Sequence, residues 1–457
     1  MIPGVVRFVF IIAAAISIIP LGSTRPEFLY FSCILQGIVF CSAVAAAGDA
    51  RQSRPILLAL LGIIASAALY LIFQSLFLPA SPFANPAWAI VAVAQSGSGG
   101  AISVAPDVTM RSLPALIAPF FAFGSAALLS RDDEKALRIW RGLALLGAAV
   151  ALFGLVRHAA FPDLRLFGQV YLDRADVTSV FVNRNNAATF FGLASLAGLG
   201  WLAWHRTRGD RRRAGRPGAT GLIRLAPHSG TIAICLGFLS TILALLLTRS
   251  RAGVLLSALA LLLPIAFFLA ANIRRLADRR TQWLAVGGTV AAAIVAVAVL
   301  GQRTILRAEL IGTNDERFCL YRETLAAIRD HPLFGTGFGT FDDVFPAYRL
   351  AQCGIYGLPE RAHNSYLEAY LGLGLPFLLL LAVCLAALLG IYWNGLTQRR
   401  RLRPIPIVCL SALGLMLAHS AVDFPIQIHG IAIYFAALLG CGAGVSLARS
   451  QAPSPRS

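Results

Sequence analysis

The chain has 457 residues, is 58% hydrophobic and only 13% charged, and carries a formal net charge of +18. A soluble domain is about half apolar and a quarter charged, so long apolar runs at this density exclude water as their main solvent and point to a bilayer. The positive balance does not describe a nucleic-acid-binding face, because the basic residues fall in short clusters between apolar runs.

The first apolar run follows Arg7 and precedes Pro20 and Arg25 with no small-residue cleavage site, so it reads as an uncleaved span. Apolar stretches of about 17 to 25 residues give about twelve spans in all. They fall at 5–22, 29–47, 55–78, 113–130, 139–157, 187–204, 229–247, 252–271, 283–300, 366–393, 404–421 and 428–447. Between the third and fourth, Trp88 to Ala94 is apolar but short and Gly97 to Gly100 breaks it, as in a re-entrant or interfacial piece.

Alternate loops hold the basic clusters: Arg51 and Arg54; Arg131, Lys135 and Arg138; Arg206 to Arg216; Arg274 to Arg280; and Arg399 to Arg403. Short basic loops stay on the cytoplasmic side, which places both termini in the cytoplasm. Arg184, Arg249 and Arg251 then sit at the opposite, periplasmic edge, against the usual bias; snorkelling to lipid phosphates is the bland reading for each.

The chain divides into membrane helices over 1–300, a periplasmic loop over 301–365 and membrane helices with a cytoplasmic tail over 366–457. In the loop, Asp315 to Asp330 predicts an amphipathic helix with Phe318, Leu320, Tyr321, Leu325 and Ile328 as its apolar residues, stopped by His331-Pro332. Gly335, Gly337 and Gly339 follow as turn residues; no Gly-Lys-Ser/Thr follows them, so they form no phosphate loop. Cys319 and Cys353 share this loop, and a disulfide between them would suit an oxidising compartment. No Cys or His spacing suggests a metal site.

Four patches bear chemistry. They are Phe181-Val182-Asn183-Arg184-Asn185-Asn186-Ala187; Thr248-Arg249-Ser250-Arg251-Ala252-Gly253; Arg317 with Pro332-Leu333-Phe334-Gly335-Thr336-Gly337; and Ala362-His363-Asn364-Ser365-Tyr366-Leu367-Glu368 before Gly372-Leu373-Gly374. In this order on a multi-span chain they resemble the O-antigen ligase and polysaccharide polymerase family of membrane glycosyltransferases. The resemblance runs from about Val182 to Gly374, and more weakly through His419-Ser420-Ala421-Val422-Asp423-Phe424-Pro425.

That resemblance implies an all-α integral membrane fold of the GT-C type in a bacterial inner membrane. It further implies a transfer without cofactor or metal, from a polyprenyl (undecaprenyl) pyrophosphate-linked glycan to a hydroxyl acceptor. The acceptor would be lipid A-core in O-antigen ligation, a growing polysaccharide in polymerisation, or protein. The expected catalytic residues are His363 as general base, with Arg251 and Arg184 on the leaving pyrophosphate; an arginine stays ionised and binds phosphate in a bidentate way. Arg249, Arg317, Asn364, Asn185 and Ser250 are the expected substrate-binding residues. His419 reads equally as a packing residue, and Glu368 as a support for His363 or a cavity lining. The alternative function is a transporter or lipid-linked glycan flippase. It fits less well because the spans are almost free of charge and no repeat is evident.

Overall fold

A computed structural model describes residues 3–47, 50–79, 81–90, 99–169, 175–214, 229–273, 316–350, 359–398 and 402–448. Their helices, in chain order, are α1 (Pro3–Ile18), α2 (Pro26–Ala46), α3 (Ala50–Ser75), α4 (Pro106–Leu129), α5 (Asp133–Ala160), α6 (Arg184–Ala214) and α7 (Ser229–Leu247). There follow α8 (Arg251–Ile273), α9 (Glu316–Asp330), α10 (Phe341–Val344), α11 (Ser365–Leu373), α12 (Leu375–Gln398), α13 (Pro404–Ser420) and α14 (His429–Leu447). The described residues contain no strand, only an isolated bridge between Leu78 and Gly100.

Eight of these helices are long and apolar enough to cross a membrane, and α1, α7 and α13 are shorter apolar helices. The chain is thus an all-helical, multi-pass membrane protein. The expected ninth span, 283–300, lies outside the described residues, as do Cys353 and much of the loop before α9. Cys319 is disulfide-bonded.

Two expectations need correction. The stretch 366–393 is two helices, α11 and α12, separated at Gly374, whose φ is +64°. A Cβ there would lie 2.4 Å from the Leu333 carbonyl oxygen, so the break needs glycine. Counting apolar residues could not find it, because both sides are apolar. In α9 the buried face is Leu320, Glu323, Thr324, Ala327 and Ile328, while Phe318 and Leu325 are exposed. The buried set keeps the three- and four-residue spacing of one helical face, and Phe318 and Leu325 lie on another.

The bundle is built around α14, of which 89% is buried, against 6% of α12, whose Leu-rich surface faces outward. Between helices in lipid there is little hydrophobic drive, so close approach relies on small residues. Gly440 and Gly444 supply it: an added Cβ would lie 2.2 Å from the Phe123 carbonyl oxygen and 2.5 Å from that of Ala127, both on α4. Buried polar tips are satisfied by neighbouring backbones. Tyr434 donates to the Leu143 carbonyl at 2.9 Å and Trp140 to that of Ala197 at 2.8 Å.

The segment after α9 is strapped to the membrane helices at one end of the bundle. Tyr70 donates to the carbonyls of Leu373 (2.8 Å) and Phe334 (3.0 Å), and Gln74 to those of Gly372 (2.8 Å) and Phe334 (2.7 Å). Two side chains of α3 thereby fix both the glycine turn and the end of α11, whose first turn bears the residues that follow His363.

Replacing Gly440 with valine should destabilise the protein by about 1–3 kcal/mol or more, because overpacking must push α4 and α14 apart. Thermal unfolding of the detergent-solubilised protein measures this; an unchanged midpoint would show that the two helices do not meet at this glycine.

Candidate functional site

The turn from α13 to α14 carries Asp423, whose side chain is only 2% exposed. One carboxylate oxygen, Oδ1, accepts from the Phe424 N–H at 2.9 Å and lies 3.4 Å from His363 Nδ1. The other, Oδ2, accepts from Asn185 Nδ2 and lies 4.0 Å from Arg317 Nη2. Arg317 also donates to the Val422 carbonyl at 3.1 Å. Burial alone would raise the Asp423 pKa, but His363, Arg317 and the Phe424 N–H together hold it below the ordinary carboxylate value.

His363 is held through its backbone, its ring and the residues on either side of it, while its side chain stays 31% exposed. Its φ is +51°, a left-handed conformation that histidine tolerates better than bulkier residues. Its carbonyl accepts from the Tyr321 hydroxyl at 2.9 Å, and its ring packs edge-on against Phe424 with centroids 5.0 Å apart. Just after it, Asn364 caps α11, its side-chain oxygen accepting from the Tyr366 and Leu367 N–H groups, while its amide donates to the Ala421 carbonyl at 2.9 Å. Just before it, Glu368 accepts from the Ala362 N–H at 3.0 Å and pairs with Arg361 at 2.9 Å. Glu368 therefore fixes the turn that presents the imidazole.

The starts of α6 and α8 complete the same end of the bundle. Ser250 donates to Asn185 Oδ1 at 2.7 Å and accepts from the Gly253 N–H at 3.2 Å, capping α8. Asn185 thus joins Ser250 to Asp423. Arg184, the first residue of α6, donates to Asp176 Oδ2 at 2.6 Å. Arg249 turns its Nε toward the other oxygen of Asp176 at 4.0 Å. Arg251, the first residue of α8, is exposed. His419 is buried inside the bundle, its Nδ1 2.6 Å from Thr189 Oγ1.

Two buried carboxylates therefore sort the residues read from sequence. Asp423 gathers His363 and Arg317, and reaches Ser250 through Asn185; Asp176 gathers Arg184 and Arg249. The side-chain polar atoms of Asn185, Ser250 and Asn364 are hydrogen-bonded within the protein. Neither aspartate stood among the expected site residues. The signal for Asp423 lay in the patch from His419 to Pro425; that for Asp176 was a carboxylate eight residues before an arginine on the side where positive charge is disfavoured. Among the described residues no three His, Cys, Asp or Glu side chains group so as to hold a metal ion.

An imidazole backed on Nδ1 by a buried carboxylate can take a proton at Nε2 and be stabilised as imidazolium. Guanidiniums at the rim can bind the oxygens of an anion. Residues 236–382 match the family model described as O-antigen ligase, and the chain carries that domain there. The match includes Arg249, Ser250, Arg251, Arg317, His363 and Asn364; Asp176, Arg184, Asn185 and Asp423 lie outside it. No curated protein matches the chain.

A native pKa below the unfolded value makes Asp423 a source of stability at neutral pH that is lost as pH falls from the unfolded carboxylate value toward the lower native one. Asp423→Asn should remove that acid-sensitive component. Unfolding midpoints followed from about pH 7 to about pH 3 should fall less steeply for the variant, and parallel curves would contradict the pairing.

Proposed function

On the premise that the chain carries an O-antigen ligase domain, we propose that it transfers a glycan from a polyprenyl pyrophosphate to a hydroxyl acceptor at the periplasmic face of the inner membrane. The acceptor is lipid A-core in O-antigen ligation or the end of a growing polysaccharide in polymerisation. The observation that carries this reading is His363 Nδ1 facing the buried Asp423 carboxylate at 3.4 Å, at the bundle end where Arg184, Arg249, Arg251 and Arg317 also lie.

In this mechanism His363 accepts the acceptor's hydroxyl proton at Nε2 as the acceptor oxygen attacks the anomeric carbon. The bond from that carbon to the pyrophosphate oxygen breaks, and its electron pair leaves with the pyrophosphate. Arg251 and Arg184, assisted by Arg249 and Arg317, stabilise the developing negative charge without reorganising. Attack opposite the leaving group inverts the anomeric configuration. Asp423 keeps the imidazole in one tautomer and compensates its charge once protonated.

Complementation of a deletion strain tests the reading. His363→Ala and Arg251→Ala, at wild-type levels in the membrane, should fail to restore a surface polysaccharide while lipid-linked precursor accumulates. In a reconstituted assay His363→Ala should slow transfer about 10²–10⁴-fold. Loss of chain length would identify a polymerase and loss of attachment a ligase. Full restoration by both variants would defeat the assignment.

A further inference from the structure

We propose that Asp176 is a positioning residue that holds Arg184 and Arg249 as a two-guanidinium clamp for the diphosphate of the donor. The inference rests on the reading above and deepens it. Asp176 precedes α6 in a segment whose residues from Asp176 to Phe181 are all buried. Ser179 of that segment donates to the Val150 carbonyl at 2.7 Å, and its own carbonyl accepts from Arg157 of α5. The Val177 N–H donates to the Leu247 carbonyl at 3.0 Å, two residues before Arg249. The segment therefore ties the ends of α5 and α7 together and sets one carboxylate between the arginine that opens α6 and the arginine in the α7–α8 turn.

Exposure separates the two roles in this cluster. The Asp176 side chain is 1% exposed, whereas those of Arg184 and Arg249 are 48% and 62% exposed. The carboxylate lies behind the guanidiniums and the guanidiniums face out. Arg184 pairs with the buried carboxylate directly, at 2.6 Å. The second arginine, Arg249, has its Nε 4.0 Å away and a φ of +52°, a strained left-handed backbone for a non-glycine residue. Two positive charges brought onto one negative charge leave a net positive edge beside the starts of α6 and α8, whose helix dipoles also favour an anion. A diphosphate on a membrane-embedded carrier matches that edge in charge, and Arg184, already held at 2.6 Å, loses little freedom on binding it.

Charge counting and positioning predict opposite results for Asp176→Asn. Removing a negative charge makes the cluster more positive, so charge alone would tighten anion binding. Loss of the clamp geometry would weaken it. Full-length protein in proteoliposomes, given a polyprenyl pyrophosphate-linked glycan and a hydroxyl acceptor, with inorganic pyrophosphate as competitor, distinguishes them. The inference predicts a donor KM raised about fivefold or more and pyrophosphate inhibition weakened alike, the size of one lost kcal/mol. Acceptor KM should stay within about twofold, kcat should fall together with donor affinity because the same guanidiniums stabilise the leaving pyrophosphate, and Asp176→Glu should recover part of both. Tighter pyrophosphate inhibition in Asp176→Asn, or lower kcat with donor KM and inhibition unchanged, would overturn it; the second pattern is that of a merely structural residue. If wild type binds pyrophosphate in an Asp176-dependent way but transfers no glycan, the clamp stands and the transferase reading falls.

Discussion

A carboxylate buried at the end of a helical bundle costs on the order of several kcal/mol to desolvate, and the architecture of this site follows from how that cost is met at Asp423. No single partner meets it. The compensation comes from the Phe424 N–H, the Asn185 amide, the Arg317 guanidinium and the His363 ring, which belong to the α13–α14 turn, α6, α9 and the segment before α11. Because each partner comes from a different element, pairing with Asp423 sets how the capping helices sit on the membrane helices. Removing the charge would therefore loosen both the His363 ring and the Arg317 side chain of α9.

The bundle makes that arrangement rigid. The turn that carries Asp423 leads into α14, the most buried helix, which is locked to α4 through Gly440 and Gly444. From the other side, Tyr70 and Gln74 of α3 hold the glycine turn and the end of α11. The turn that presents the imidazole is thus fixed by packing below and by hydrogen bonds above. A general base must meet its proton within hydrogen-bond reach, and this is the kind of support such precision requires. Asp176 does for two arginines what Asp423 does for the histidine: it places a buried negative charge behind groups that face out.

Much of this was legible in the sequence, for reasons that can be named. Apolar length marked the membrane helices, because lipid demands it regardless of partners. Arg184, Arg249 and Arg251 stood out because their placement opposes a general charge bias, and they do open α6 and α8 or lie in the turn between α7 and α8. The break at Gly374 stayed hidden, because a left-handed glycine between two apolar helices leaves composition unchanged. Asn185, Ser250 and Asn364 were read as facing substrate. Within the protein they bond to Asp423, to one another, to the Ala421 carbonyl and to helix N–H groups, with sequence separations of 57, 65 and 238 in the longest pairs, and no local pattern encodes such contacts. Asp423 was missed as a site residue for the same reason: its role is defined only once four elements converge on it.

The central claim is that Asp423 acts on the reaction through His363. A double-mutant cycle on the rate of glycan transfer in proteoliposomes, with Asp423→Asn, His363→Ala and the two combined, tests it most directly. The account predicts that Asp423→Asn is strongly impaired alone, yet adds little further loss once His363 is alanine, because residues that act as a unit lose their effect together. Losses that multiply fully in the double variant, or an Asp423→Asn protein that transfers glycan at the wild-type rate, would contradict it.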